Sequence, residues 1–291
     1  MSTVAAPAEP RPDATRGELR EVQGPSAFGG GWRRFFDLLW LISVTEFRRS
    51  YFGTVLGYVW SLIRPLLLFL VLLFVFTQVF RLGSQVPNYP VLLLLNIVVF
   101  SFFQEATQNA VAAVVAQEGI VRKTQFPRLV IPLSVVLTAA FNFALNLLVV
   151  FIFILAWGVD PTWTWLLFPL ALAGLLLLTT AVSMLLSALY VRFRDVMIIW
   201  TVLTSVLFYG SPILYPIEIV PDEYRELLMV NPLAPIFEQI RVWVIDPSAP
   251  TAVEAAGGWA GLLPAASIFV AVCALGAWIF GRAAPRVAEE L

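Results

Sequence analysis

Six long apolar stretches dominate the chain, over residues 56–80, 91–116, 130–157, 163–190, 196–214 and 262–280. A helix needs about 20 mostly apolar residues to cross roughly 30 Å of hydrocarbon. The pattern therefore predicts an all-α membrane protein with six transmembrane helices. Two stretches depart from the rest. The second carries Gln104, Glu105, Thr107, Gln108 and Asn109 in its middle, and the fifth is short and meets Pro212 near its end.

A segment too polar to span precedes the first stretch. On a helical wheel of residues 32–50, Arg33, Arg34, Asp37, Thr45, Arg48 and Arg49 fall within about half the circumference. Trp32, Phe35, Phe36, Leu39, Ile42 and Phe47 occupy the other half, with Leu41 and Val44 as exceptions on the polar side. A basic amphipathic helix with aromatic anchors lies in the membrane interface and does not cross it. Between the fifth and sixth stretches, residues 211–258 are mixed in character. Residues 220–229 and 233–243 have helical spacing but are too short to span, which predicts two short helices at the outer surface. Residues 1–30 are rich in Ala, Pro, Gly, Arg and Glu and read as a disordered tail, with no apolar core of a signal peptide. The domain reading is a tail over 1–30 and a transmembrane domain over 31–291. No internal repeat is visible, which weighs against an inverted-repeat carrier.

Composition agrees with this pattern and the charges orient it. The chain is 60% hydrophobic and 13% charged, against about 25% charged for a soluble domain. With six spans both termini share one side. If that side is the cytoplasm, the inside segments hold 15 of the 18 Lys and Arg residues, leaving out Arg81, Arg225 and Arg241. The positive-inside rule selects this orientation, with both termini cytoplasmic in an inner membrane. A net charge of −1 gives a nucleic-acid partner no bulk electrostatic support.

Absences narrow the chemistry. Without histidine there is no histidine base, no Ser-His-Asp triad and no histidine-held zinc. Cys273 is the only cysteine, so no intrachain disulfide or cysteine metal cluster forms. Its apolar neighbours mark it as a small buried hydrophobe. The one lysine, Lys123, lacks the spacing of a phosphate-binding loop, so the chain has no visible means of hydrolysing ATP. The reading is a transport subunit without a cofactor or metal of its own.

Three constellations remain. Arg33, Arg34, Arg48 and Arg49 either anchor the helix on anionic lipid or form a gate that receives a phosphate-bearing lipid, since the guanidinium fork suits phosphate oxygens. The connector over residues 117–128 is either a solvated turn or a docking knob for a cytosolic partner, using Glu118, Ile120, Val121, Arg122, Lys123 and Phe126. Glu105 is the acidic residue lying well inside a span, and Glu105, Gln108, Asn142 and Asn146 either line a path or hydrogen-bond between helices. Aromatics make up 14% of the chain. Most suit lipid-facing surfaces, and some could offer flat faces to sugar rings. Externally, Asp222 and Glu223 pair at a helix start, where carboxylates favour the dipole.

Four separated motifs carry a family resemblance. Residues 54–66 (TVLGYVWSLIRPL), 118–132 (EGIVRKTQFPRLVIP), 190–196 (YVRFRDV) and 211–216 with 230–235 (SPILYP, VNPLAP), ending at Arg241, are similar in order and spacing to ABC-2 type permeases that export polysaccharides. These are the Wzm-type partners in O-antigen and teichoic-acid export. The resemblance implies a homodimer joined to two separate ATP-binding subunits, which would bind ATP and Mg. It implies that residues 32–50 are a gate helix whose arginines meet a lipid-linked pyrophosphate, and that residues 117–127 dock into the nucleotide-binding subunit. It also implies an external gate containing Tyr215, Pro216, Asn231, Pro232 and Arg241. Arginine outnumbers lysine 17 to 1, as in high-GC actinobacteria, where this permease type resembles the exporter of lipid-linked galactan. The rival readings are an ABC-2 permease for drugs or lipids, a membrane-embedded polyprenyl-dependent glycosyltransferase using Asp222 and Glu223, and an ion-coupled carrier through Glu105.

Overall fold

The computed structural model describes residues 31–51, 57, 59–81, 86–119 and 127–283. The tail over 1–30 lies outside these residues, as do Ile120, Val121, Arg122, Lys123 and Phe126 of the connector. Every regular element among the described residues is helical.

The central element is α3 (Tyr89–Ala116), which packs against α2 (Val59–Phe74), α4 (Val130–Trp157), α5 (Phe168–Arg192) and α6 (Val196–Tyr209). Its spanning window is 78% buried, against 11% for the window over Val59–Val79 and 11% for that over α10 (Trp259–Ala283). The stretch with the most polar residues is thus the core of the bundle. A helix surrounded by other helices can carry amides and a carboxylate that lipid would expel. The outer helices keep exposed apolar faces, including Leu67, Leu70, Val71, Leu263 and Val270.

Five helices among the described residues are long and apolar enough to cross a membrane. The fifth predicted span is different. Helix α6 stops at Tyr209 after 14 residues, about 21 Å at 1.5 Å per residue. The reason is local. Gly210 N–H still bonds to Val206 O at 2.8 Å, but Pro212 has no N–H to continue the ladder. Residues 211–214 instead run as a buried turn, with side chains of α3 meeting its carbonyls. Asn96 Nδ2 donates to Pro212 O at 3.1 Å and to Ile213 O at 3.4 Å, and Tyr89 OH donates to Leu214 O at 2.7 Å. Irregular backbone at such depth is tolerated where protein groups satisfy it.

Two structures cover the ends of the bundle. Helix α1 (Trp32–Tyr51) packs on α4, and its Phe35 enters a cluster with Val114, Ile131, Val191 and Phe280. These residues come from the last turns of α3, α5 and α10 and the first turn of α4, so α1 lies across that end. Trp32, Phe36, Trp40 and Leu41 stay exposed beside its arginines, as an interfacial helix requires. The opposite end carries α7 (Asp222–Met229), α8 (Leu233–Val244) and α9 (Ala252–Ala255). Thr164 Oγ1 and Trp165 Nε1 donate to the carbonyls of Trp243 and Val244, pinning α8 to the turn before α5. The two short helices predicted over 220–229 and 233–243 are present as α7 and α8.

Candidate functional site

The polar stripe of α3 divides between two neighbours. Towards α6, Trp200 Nε1 donates to Thr107 Oγ1 at 3.0 Å and Gln108 Nε2 to Thr204 Oγ1 at 3.2 Å. Towards α4, Asn142 Nδ2 donates to Glu105 Oε1 at 2.7 Å, while Asn142 Oδ1 accepts from Tyr51 OH at 2.7 Å. One amide therefore links the end of α1, the middle of α4 and the carboxylate of α3. Asn146 Nδ2 donates to Asn142 O at 2.9 Å one turn further along. Burying such groups in an apolar bundle is costly unless they are paired, and here they pair with each other.

Two cavities flank this linkage. One, of about 560 Å³, lies between α1, α3 and α4, with Arg49, Glu105, Gln117, Thr138 and Asn142 among its walls. The other, of about 480 Å³, lies between α2, α3 and α4, where Arg64, Gln104, Glu105, Gln108, Asn109 and Asn146 face Trp60, Phe102 and Phe143. Phe102 and Phe143 stack at 4.9 Å between centroids. Glu105, Gln108, Asn142 and Asn146 are thus brought to one polar region, where amides, a carboxylate and a guanidinium alternate with aromatic faces. Arg64 and Tyr51 complete the region without having been singled out. Tyr51 sits one residue past the amphipathic segment, and Arg64 reads as one more inside-positive charge.

The four arginines of α1 do not converge. All are exposed, and Arg33 and Arg48 stand about 22 Å apart along a straight helix. They form two pairs, of which Arg48 and Arg49 occupy the last turn, where cations suit the helix dipole. Within one chain the four cannot hold one pyrophosphate together. Of the docking residues only Glu118 is described. It is half-buried at the end of α3.

At the other end, Arg241 is buried and meets three carboxylates. Its Nη1 lies 2.6 Å from Glu218 Oε2 and 3.6 Å from Glu238 Oε2, and its Nη2 lies 4.0 Å from Asp246 Oδ2. Burial pushes the Glu238 carboxyl up to about 7; the Arg241 charge opposes this rise and the Glu218 charge adds to it. Asn231 joins the same region, donating from Nδ2 to Ser211 Oγ at 2.7 Å and accepting from Leu233 N at 3.0 Å, and Tyr215 OH donates to Tyr209 O at 3.0 Å. Pro216 and Pro232 immediately precede the 3-10 turn Ile217–Ile219 and α8, respectively. The predicted external residues thus form a tied structure. The three carboxylates around Arg241 were missed, although Glu238 and Arg241 stand three apart on one predicted helix, a visible i,i+3 pair.

A family model described as ABC-2 type transporter matches residues 37–244. The chain belongs to that family. The ABC-2 match runs from within α1 to the end of α8, so it takes in the polar region and, of the Arg241 cluster, Glu218, Glu238 and Arg241 itself. Among similar proteins, the O-antigen export system permease protein RfbA of Klebsiella pneumoniae is 34% identical over 200 residues, covering 68% of this chain and 76% of its own. RfbA of Myxococcus xanthus is 33% identical over 190 residues, covering 65% and 72%. The polysialic acid transport protein KpsM of Escherichia coli is 24% identical over 199 residues, covering 66% and 76%. As an ABC-2 type membrane component, the chain is a multi-pass membrane protein with an all-α fold.

Proposed function

We propose that this chain is the permease subunit of an ABC transporter that exports a polyprenyl-pyrophosphate-linked polysaccharide, of cell-wall galactan or O-antigen type, across the inner (plasma) membrane. It works as a homodimer with two separate ATP-binding subunits, and both termini are cytoplasmic. The observation that carries this reading is the polar, aromatic-walled space around Glu105 inside a bundle whose exterior suits lipid. A sugar chain offers hydroxyls to amides and carboxylates, and flat C–H faces to Trp and Phe rings. The names of the similar permeases support the same cargo class. ATP and Mg belong to the partner subunit, which would dock on residues 117–127. Closure of that partner pushes on the ends of α3 and α4, the two helices that hold Glu105 and Asn142.

Drug or lipid export fits less well, because amides, a carboxylate and a guanidinium do not suit an apolar cargo. In the glycosyltransferase reading Asp222 would act, yet its carboxylate pairs with Arg225 at 2.6 Å on the exposed first turn of α7. Changing Asp222 and Glu223 to Ala therefore leaves export unaltered under the present reading. An ion-coupled carrier through Glu105 would work without any ATPase. The test is deletion of the chain and, separately, of the ATP-binding subunit proposed as its partner. Either deletion should leave lipid-linked glycan inside the cell. Transport that survives loss of the ATPase sinks the reading. Because the α1 arginines form two pairs, neutralising Arg48 and Arg49 should impair export more than neutralising Arg33 and Arg34.

A further inference from the structure

Helices α5 and α10 touch closely where Gly276, lacking a side chain, lets α10 approach the Ala181 carbonyl. On either side of that contact their seam opens into a cavity, and the two cavities differ. Towards α8 the cavity is apolar, about 390 Å³, with Leu170, Gly174, Leu262 and Phe269 among its walls. No charged side chain is among the described residues that line it. The other cavity, of about 470 Å³, lies at the end where Val191 and Phe280 meet Phe35 of α1. Arg192 and Arg282 stand in its walls beside Ala188, Leu189, Trp278 and Ile279, and no carboxylate is among the described lining residues. We propose that Arg192, Arg282 and Trp278 form a binding site for the phosphodiester headgroup of an anionic phospholipid. The site concerns membrane lipid and is independent of the exported cargo.

Three features fit that ligand. The first is depth. Gly276 and Arg282 are six residues apart, about 9 Å along a helix, close to the 5–8 Å or so of a headgroup layer. The second is charge. Each guanidinium carries five N–H donors in a fork that matches phosphate oxygens, so each has donors to give whatever else it meets. Both arginines stand in the last turn of a helix, where the dipole opposes an anion with about half a charge; two full positive charges outweigh this. Basic pockets of this kind between membrane helices suit anionic headgroups. Asp195 follows in the turn before α6 but is not among the lining residues. The third feature is the wall. Arg282 Cζ lies 4.8 Å from the Trp278 ring centroid, a cation–π contact that orients the guanidinium. Trp278 and Phe193 are exposed there, as aromatic anchors at headgroup level require. Apolar walls strip water from a free phosphate and replace none of it, whereas a lipid's glycerol and first acyl carbons cover Leu189 and Ile279. An ethanolamine headgroup would need a carboxylate for its ammonium, which this lining lacks. Held between Arg192 and Arg282, the headgroup ties α5 to α10, a helix that buries little else.

The test is native mass spectrometry of the full chain in neutral detergent, with dioleoylphosphatidylglycerol or dioleoylphosphatidylcholine added. In the parent, the first phosphatidylglycerol should bind about tenfold more tightly than phosphatidylcholine. Arg192→Gln and Arg282→Gln should each cut that preference about fivefold, one arginine's share, and the double change should abolish it. Trp278→Leu keeps both charges and should cost about twofold. Arg225→Gln, with the same loss of charge on α7, should leave the preference intact; an equal fall there would assign it to net charge and overturn the site. Equal affinity for both lipids in the parent also overturns the proposal, as does an undiminished preference in a double variant that elutes and melts like the parent. If the double variant does not fold, Arg282→Gln, at an exposed side chain, decides alone. Displacement of phosphatidylglycerol by millimolar inorganic phosphate or glycerol 3-phosphate would mark a site for soluble phosphate and sink the lipid assignment. A preference abolished by a bound ATP-binding subunit would make this surface a protein contact, and the proposal would fall.

Discussion

Glu238 is 1% exposed, and one of its oxygens makes no hydrogen bond while facing a guanidinium 3.6 Å away. Its carboxyl, raised to about 7 from 4.5, keeps its proton in the fold over a range where an unfolded chain has lost it. The sign follows. This group's contribution to stability is complete below about pH 4.5 and is lost as pH rises through about 7. Thermal unfolding of purified protein should fall in temperature between about pH 5 and pH 8, and Glu238→Gln, neutral throughout, should flatten that slope. An equal slope in both proteins would assign it elsewhere. Tyr89 and Asn96 make a second residue-level case. In the sequence Asn96 is a lone polar residue near the start of the second apolar stretch and Tyr89 precedes that stretch, yet both meet the carbonyls of a broken helix. Tyr89→Phe leaves Leu214 O without this partner in a buried site and should cost about 1 kcal/mol, measured as a thermal shift.

At the scale of elements, the pairing of α5 and α10 depends on one glycine. A Cβ at Gly276 would sit 2.4 Å from the Ala181 carbonyl oxygen, so only a hydrogen fits, as at small-residue contacts in membrane helices. Gly276→Leu should push α10 outwards and cost about 1–3 kcal/mol, the usual penalty of overpacking. Gly281→Leu, with open space around its Cβ position, is the control and should unfold near the parent. Helix α4 ends where Gly158 adopts φ +92°, a conformation that removes the Cβ penalty and caps the helix. The short α6 belongs to the same scale. Its helical length falls below a bilayer's thickness, and the buried turn at 211–214 that follows it is held by α3.

At the scale of the molecule, the arrangement places α1 and the Arg241 cluster at opposite ends of one bundle, with the Glu105 region between them. The proposed orientation follows from arginine counts and makes opposite demands on the two ends. In the Cys273→Ala background, Trp163→Cys, at a side chain 87% exposed beside the α8 end, should react with an impermeant reagent added outside intact cells. Arg33→Cys on α1 should react only after the cells are opened. The reverse pattern would invert the threading and remove the docking role of residues 117–127.

The apolar stretches alone determined that this is a helical membrane protein, because a run of about 20 apolar residues has few other ways to satisfy its backbone in lipid. They also located the amphipathic helix α1 and the two short helices α7 and α8, whose spacing is local information. The tertiary structure decided which span is central, since helical periodicity states that a face is polar but not what covers it. It decided that Asn142 meets Glu105 and that Glu218 meets Arg241. These are contacts between residues distant in the chain, and only packing specifies them.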